Sequence, residues 1–148
     1  MLVGVPWSLR EKAVGSELSR AVLALSDPVD PAFVRDFVES TVFGPVPPAF
    51  LEAMICESLK VPAHVWRATL EGLLEAVPPA ETGTIAAPTL IVWGNRDDFV
   101  SRADQERLVA AIPGSQLVVY EGTGHVVHWE QPQRVAEDIA AFVERITA

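Results

Sequence analysis

Two residues whose side chains can exchange a proton, Asp97 and His125, each follow an apolar run with the composition of a buried strand. Asp97 follows Thr89–Trp93, and His125 follows Gln116–Tyr120. In an open parallel sheet, reactive groups gather beyond the carboxyl ends of the strands, so neighbouring strands would bring this carboxylate and this imidazole together. The carboxylate would then hold one imidazole nitrogen while the other takes a proton from a nucleophile. The alternative is that both are ordinary turn residues.

The elements around these two loops alternate between strand and helix. After the first run, Ser101 and Asp104 form a capping-box pattern for a helix that ends near Ile112. After the second run, Pro132 begins a last helix. This alternation predicts parallel pairing of the strands, and therefore an α/β fold whose sheet is covered by helices.

A helical block separates this part of the chain from a short apolar run at its start. Leu2–Val5 is typical of a buried strand. Between Trp7 and Pro79 the apolar residues recur at helical spacing, and later helices are predicted to begin near Pro31, Pro48 and Ala63. The apolar face of the first predicted helix contains Ala13, Val14, Leu18, Ala21, Val22 and Leu25.

Two motifs span the loops that carry the carboxylate and the imidazole. Pro88–Asp97 matches PTL-x-x-x-G-x-x-D, and Gly122–Glu130 matches G-x-G-H-x-x-H-x-E. With the helix between them, these motifs resemble the closing segment of the α/β-hydrolase family. The resemblance implies that Asp97 is the acid and His125 the general base of a catalytic triad. Asp98, which stands where many members have proline, is a competing candidate for the acid.

The same resemblance implies a domain organisation: a first sheet strand in residues 1–6, a helical cap in 7–80 and a hydrolase core segment in 81–148. The expected fold is a partial α/β-hydrolase sheet of about three parallel strands with an inserted helical cap. The implied activity is hydrolysis of a small apolar ester through an acyl-enzyme, with no cofactor and no metal. Apolar residues that suit such a substrate, and that equally suit a core, are Trp7, Phe43, Phe50, Met54 and Trp66.

The nucleophile of this family lies on a G-x-S-x-G turn, in the chain order Ser, Asp, His. No serine of this sequence has that pair of flanking glycines, and no HGGG-like oxyanion segment is present. We therefore expect both parts to lie upstream of Leu2, and the chain to be an inactive fragment by itself. Leu2–Val5 would then be an exposed apolar edge, which predicts an oligomer or pairing with an upstream half-domain. The alternative is a non-enzymatic module that binds a ligand or a partner.

Other side chains that can carry chemistry are predicted to be structural. His128, Trp129 and Glu130 lie at the start of the final helix, whose positive end suits a carboxylate. His64 lies on the polar row of its helix and is expected to be solvated. Cys56 lies beside apolar helix positions and is expected to be a core thiol.

The composition narrows the classes of partner. The 148 residues are 49% hydrophobic and 21% charged, as in a globular domain with a core. A net charge of −9 disfavours nucleic acid and anionic membranes. The single cysteine excludes an internal disulfide and a cysteine-based zinc site, and it suits a reducing cytoplasm. No apolar run approaches the roughly 20 residues that span a bilayer.

Overall fold

A three-stranded parallel sheet lies at the centre of the first of two structural units. The computed structural model describes residues 1–9, 16–83 and 85–147. The strands are β1 (Leu2–Val3), β2 (Leu90–Gly94) and β3 (Gln116–Tyr120), in the order β1-β2-β3. Both pairs are parallel, and Leu2 is the partner of Ile91. The predicted α/β fold with a small parallel sheet is therefore confirmed.

The central strand, β2, is buried along its whole length. Its side chains alternate between two apolar clusters, one on each face of the sheet. Leu90 and Val92 pack with Tyr120 in one cluster, whereas Ile91 packs with Leu108 in the other. Burial on both faces explains why this run lacks polar alternation. The loop that carries Asp97 therefore starts from a fixed strand.

The second unit is helical. Among its described residues the helices are α1 (Glu17–Leu23), α2 (Pro31–Ser40), α3 (Pro48–Ser58) and α4 (Ala63–Glu75). The proline signals place the starts of α2 and α3 correctly, because proline is preorganised for the first turn of a helix. The hydroxyl oxygen of Ser16 caps α1 by accepting the backbone N–H of Ser19 at 3.1 Å. Ala13 and Val14, predicted for the first helix, lie outside the described residues.

The core of the second unit contains α2 and α3 residues that the helical spacing predicted. Val34, Val38 and Ile55 are buried. The prediction of a core thiol is wrong, since Cys56 is exposed. Successive residues of an α-helix are rotated by about 100°, so the neighbour of the inward-facing Ile55 points well away from it.

Three helices among the described residues accompany the sheet in the first unit: α5 (Arg102–Ala111), α6 (Val127–Glu130) and α7 (Pro132–Thr147). The capping box of α5 is present, because the hydroxyl of Ser101 accepts the N–H of Asp104 at 3.3 Å and the Asp104 carboxylate accepts the N–H of Ser101 at 2.9 Å. The single turn of α6 is too short for a periodic pattern to predict it.

The first unit consists of the sheet, its helices and connections, and one additional loop from between two helices of the second unit. The first unit contains Met1–Trp7, Thr41–Val46 and Pro79–Ala148, and the second contains Ser8–Ser40 and Pro47–Pro78. Thr41–Val46, the loop between α2 and α3, thus belongs with the sheet. No helix in the described part of the chain is long and apolar enough to span a membrane.

The first strand is shorter than the predicted Leu2–Val5. Gly4 has a φ of +56°, which lies outside the β region and ends the strand after Val3. The N–H of Gly4 still donates to the carbonyl of Val92 at 3.0 Å. β1 is an edge strand among the described residues, and Leu2 and Val3 are half-buried rather than fully buried.

Candidate active site

Asp97 lies in the turn after β2, and its carboxylate is fully buried. Oδ1 accepts the backbone N–H groups of Phe99 at 2.8 Å and Val100 at 2.9 Å. Oδ2 lies 2.9 Å from Nδ1 of His125. Because hydrogen bonds involving a carboxylate are strong, these three contacts fix the orientation of the side chain.

His125 lies in the turn after β3, and its side chain is 31% exposed. Its ring packs beside Phe99, with ring centroids 5.1 Å apart. Gly4 lies against both the backbone and the ring of His125, since a β-carbon at Gly4 would be 2.9 Å from the backbone oxygen and 3.2 Å from Nδ1. With Nδ1 directed at a carboxylate, the neutral ring carries its proton on Nδ1 and leaves Nε2 as a proton acceptor. No hydrogen-bond partner of Nε2 is found within the described ranges.

The two loops are joined by several hydrogen bonds. The N–H of Asn95 donates to the carbonyl of Tyr120 at 3.0 Å, and the N–H of Arg96 donates to that of Thr123 at 2.9 Å. The side chain of Asn95 accepts the N–H of Gly122 at 2.8 Å and donates to Glu121. The sheet and this network therefore hold the carboxylate and the imidazole at one edge.

Gly94, the last residue of β2, allows the loops to approach closely. A β-carbon there would lie 2.2 Å from the backbone oxygen of Thr123 and 2.3 Å from that of Gly124. Such distances exclude any side chain at this position. The glycine of the first motif is thus explained by the distance between the two loops.

The other predicted site residues lie elsewhere. Asp98 is exposed, and the carboxylate that contacts His125 is that of Asp97. Trp7 packs in the first unit against the apolar cluster of Ile91. In the second unit, Trp66 meets Phe33 and Phe37 edge to face, Met54 is half-buried, and Phe50 is exposed. Phe43 is exposed, and the guanidinium of Arg96 lies 5.2 Å from its ring centroid.

The remaining histidines differ from each other. His64 is exposed on α4, as predicted. His128 is also exposed, but partial burial, followed by the charge of the nearby His125, lowers the pKa of His128 below its usual 6.5. Across residues 1–9, 16–83 and 85–147, no group of three His, Cys, Asp or Glu side chains is arranged to hold a metal.

The contacts that two residues, Glu130 and Gly4, make near His125 were not predicted from the sequence. Glu130 was expected to suit the positive end of the final helix. Its carboxylate instead accepts the backbone N–H groups of Phe43, Gly44 and Gly124. Gly4 was considered only as part of the predicted strand Leu2–Val5. A signal for Glu130 existed in its fixed spacing from His125 within the second motif, but its loop partners lie 86 and 87 positions away.

A sequence profile of the α/β hydrolase family matches residues 3–138. The chain belongs to the α/β-hydrolase family. It is 43% identical over 63 residues to the 2-hydroxy-6-oxononadienedioate/2-hydroxy-6-oxononatrienedioate hydrolase of Klebsiella pneumoniae, a match that covers 43% of this chain and 22% of that protein. The resemblance predicted from the two motifs is thereby confirmed.

Solved structures share the fold. A hydrolase from Pseudomonas aeruginosa PA01 has a TM-score of 0.76 and 21% identity, over 96% of this chain and 54% of that one. An esterase from Exiguobacterium antarcticum has a TM-score of 0.70 and 21% identity, over 77% of this chain and 42% of that one. This chain therefore spans about half the length of these structures, and its matched segment covers less than a quarter of the curated relative.

Proposed function

We propose that Asp97 and His125 are the acid and the general base of a hydrolytic triad of the Ser-Asp-His type, acting on a small apolar ester. The observation that supports this most directly is the 2.9 Å contact between Oδ2 of Asp97 and Nδ1 of His125. A buried carboxylate in this position selects the tautomer with a free Nε2 and stabilises the imidazolium that forms during the reaction.

In the proposed reaction, a nucleophile hydroxyl attacks the ester carbonyl carbon while Nε2 of His125 takes the hydroxyl proton. The tetrahedral intermediate then expels the alcohol, which receives that proton, and an acyl-enzyme remains. Water hydrolyses the acyl-enzyme by the same proton path in reverse. Asp97 keeps its negative charge throughout.

The nucleophile is proposed to come from a segment outside these 148 residues, because the sequence contains no G-x-S-x-G turn. We propose that such a segment, or a second copy of the chain, pairs with the edge strand β1. The chain by itself is then inactive. Three other features stay predictions: the lack of a cofactor, a cytoplasmic location, and substrate contacts by Trp7, Phe50, Met54 and Trp66.

The class of substrate is proposed from the reactions named for similar proteins. The Exiguobacterium structure is that of an esterase and supports an ester, whereas the Klebsiella relative is named for a dicarboxylate and supports only hydrolysis as the reaction. A carboxylic ester is the simplest substrate that an acid, a histidine and a nucleophile would hydrolyse together.

The first test uses the 148-residue chain as it is. Long-range proton–nitrogen NMR on histidine-labelled protein should show His125 with its proton on Nδ1, and Asp97→Asn should disturb that tautomer because an amide can donate to the ring. Asp98→Asn is the matched control and should leave the ring unchanged. A proton on Nε2 in the unaltered chain, or equal effects of the two substitutions, would contradict the assignment.

The second test measures turnover of an activated aryl ester. The chain alone should show none. A fusion behind the nucleophile-bearing part of a relative should be active, and His125→Ala should lower its kcat by about 10⁴-fold or more. Activity of the fusion that survives His125→Ala would overturn the proposal, and so would turnover by the chain alone.

A second candidate is binding without catalysis. The described residues of the second unit form an open groove of about 230 Å³, lined by apolar side chains and two carboxylates: Leu18, Ala21, Phe33, Phe37, Glu17 and Asp36, with Ser40. Stoichiometric binding of a small apolar ligand by the chain, together with an inactive fusion, would favour this candidate.

A further inference from the structure

The side chain of Glu130 holds three backbone N–H groups from two separate parts of the chain. Oε1 accepts from Phe43 at 3.1 Å and from Gly124 at 2.9 Å. Oε2 accepts from Gly44 at 2.6 Å. A carboxylate with three such donors is held firmly, because each hydrogen bond to a charged group is roughly twice as strong as a neutral one.

Two of these donors are glycines, and at Gly124 backbone atoms leave no room for a side chain, since a β-carbon there would lie 2.8 Å from the nitrogen of Phe43 and 2.9 Å from the oxygen of Thr41. A β-carbon on Gly44 would lie 2.6 Å from Oε2 of Glu130. A β-carbon on Gly124 would lie 2.8 Å from Oε1. The two loops therefore approach the carboxylate as closely as backbone can, so a shift of Glu130 would be transmitted to both.

The loop that Glu130 holds in turn contacts the backbone of the proposed base. The carbonyl of Thr41 accepts the N–H of His125 at 2.9 Å and that of Val126 at 3.3 Å. Thr41 is buried, with 7% of its surface exposed, so water cannot readily replace these bonds. On the other side, Gly124, which Glu130 binds directly, is the residue before His125.

We propose that Glu130 is a positioning residue for His125. It fixes the backbone on both sides of the histidine, through Gly124 directly and through the Thr41–Val46 loop indirectly, while Asp97 orients the ring. The inference rests on the proposed function only in giving His125 the role of base. The geometric claim, that Glu130 controls where the imidazole lies, is separate from catalysis.

The variants Glu130→Ala and Glu130→Gln test this claim in the 148-residue chain. Alanine removes all three acceptor contacts. Glutamine keeps one amide oxygen, which can still serve Phe43 and Gly124, but it places an N–H₂ group opposite the N–H of Gly44. Glu144→Gln, which changes an exposed carboxylate on α7, is the matched control.

The measurement is hydrogen exchange and NMR of His125 below the unfolding transition. In Glu130→Ala, exchange of the His125 amide should be about tenfold faster or more, and the Nδ1 proton signal should shift or broaden. Glu130→Gln should give a smaller change of the same kind. The indole N–H of Trp93, buried and bonded to the carbonyl of Val100 at 2.9 Å, reports on the core and should be unchanged.

A purely structural role predicts a different result. Exchange would then accelerate by the same factor at His125 and at Trp93, and the imidazole signals would match those of the unaltered chain; that result would overturn the proposal. If Glu130→Ala does not fold, Glu130→Gln decides by the same comparison. If the activity of the fused enzyme did not depend on His125, the proposed function would be wrong, but the exchange result would still stand. The two failures are therefore distinguishable.

Discussion

Replacing Gly4 with alanine tests whether β1 determines the position of the imidazole. A β-carbon at Gly4 would lie 2.9 Å from the backbone oxygen of His125, 3.2 Å from Nδ1 and 3.3 Å from Cε1. The nearest of these neighbours is backbone, which cannot move aside as the end of a flexible side chain can. We expect the ring and its backbone to be pushed away from Asp97.

Two costs combine at this position. Gly4 has a φ of +56°, where a residue with a side chain is destabilised by about 1–2 kcal/mol. Forcing an extra methyl group into filled space costs a further ~1–3 kcal/mol. The free energy of unfolding should therefore fall by about 2–5 kcal/mol in Gly4→Ala.

Gly114 provides a matched control. It has a φ of +72°, and a β-carbon there would meet no other atom within 4 Å. Gly114→Ala should therefore lose only the conformational part, about 1–2 kcal/mol. The difference between the two variants isolates the contact with His125 from the backbone strain that both share.

Urea denaturation, monitored by tryptophan fluorescence, gives the free energies of unfolding of the two variants. Proton–nitrogen NMR shows which nitrogen of the His125 imidazole carries the proton. Gly4→Ala should lose the Nδ1-protonated signature of His125, whereas Gly114→Ala should keep it. Equal destabilisation of the two variants, with an unchanged His125 spectrum in Gly4→Ala, would refute the reasoning.

Three further outcomes are expected. Asn95→Ala removes the side-chain acceptor of the exposed Gly122 N–H, so urea denaturation should show a loss of about 0.5–1.5 kcal/mol in the free energy of unfolding; an unchanged free energy would contradict the bridging role. Partial burial and His125 lower the pKa of His128, so the unfolded protein binds more protons at this residue than the folded protein does below about pH 6.5. The free energy of unfolding should therefore fall with falling pH, and His128→Gln should weaken that dependence. Parallel plots of this free energy against pH for the two proteins would contradict the prediction. If the β1 edge mediates association, sedimentation should show concentration-dependent oligomers that Val3→Lys reduces, whereas a heat-stable monomer at all concentrations would exclude this.

The parts of the fold that were predicted from sequence are those with local signals. β2 is an unbroken apolar run because it is buried on both faces. The bounds of β3 coincide with the predicted Gln116–Tyr120. The start of α5 follows from Ser101 and Asp104, three residues apart, which satisfy each other's backbone N–H groups.

The parts that were missed depend on contacts between distant residues. No periodicity connects Glu130 with Gly44, because their contact joins two irregular loops. The side of a helix on which a single residue such as Cys56 lies also depends on what packs there, and a short apolar stripe leaves that choice open. Gly4 lies within the predicted strand Leu2–Val5, but its contact with His125 depends on how β1 pairs with β2.

Asp97 and His125, the proposed acid and base, are held in different ways, and this difference has a consequence for the site. Oδ1 of Asp97 is held by N–H groups two and three residues further along the same turn, so the acid is preorganised by its own loop. The backbone of His125 is held by Thr41, 84 positions earlier in the chain. Substitutions in Thr41–Val46 should therefore displace the base while leaving the acid in place. A chain that retained both motifs but lost that loop would keep the contacts of the Asp97 carboxylate within its own turn, but it would lose the carbonyl of Thr41 that accepts the N–H of His125.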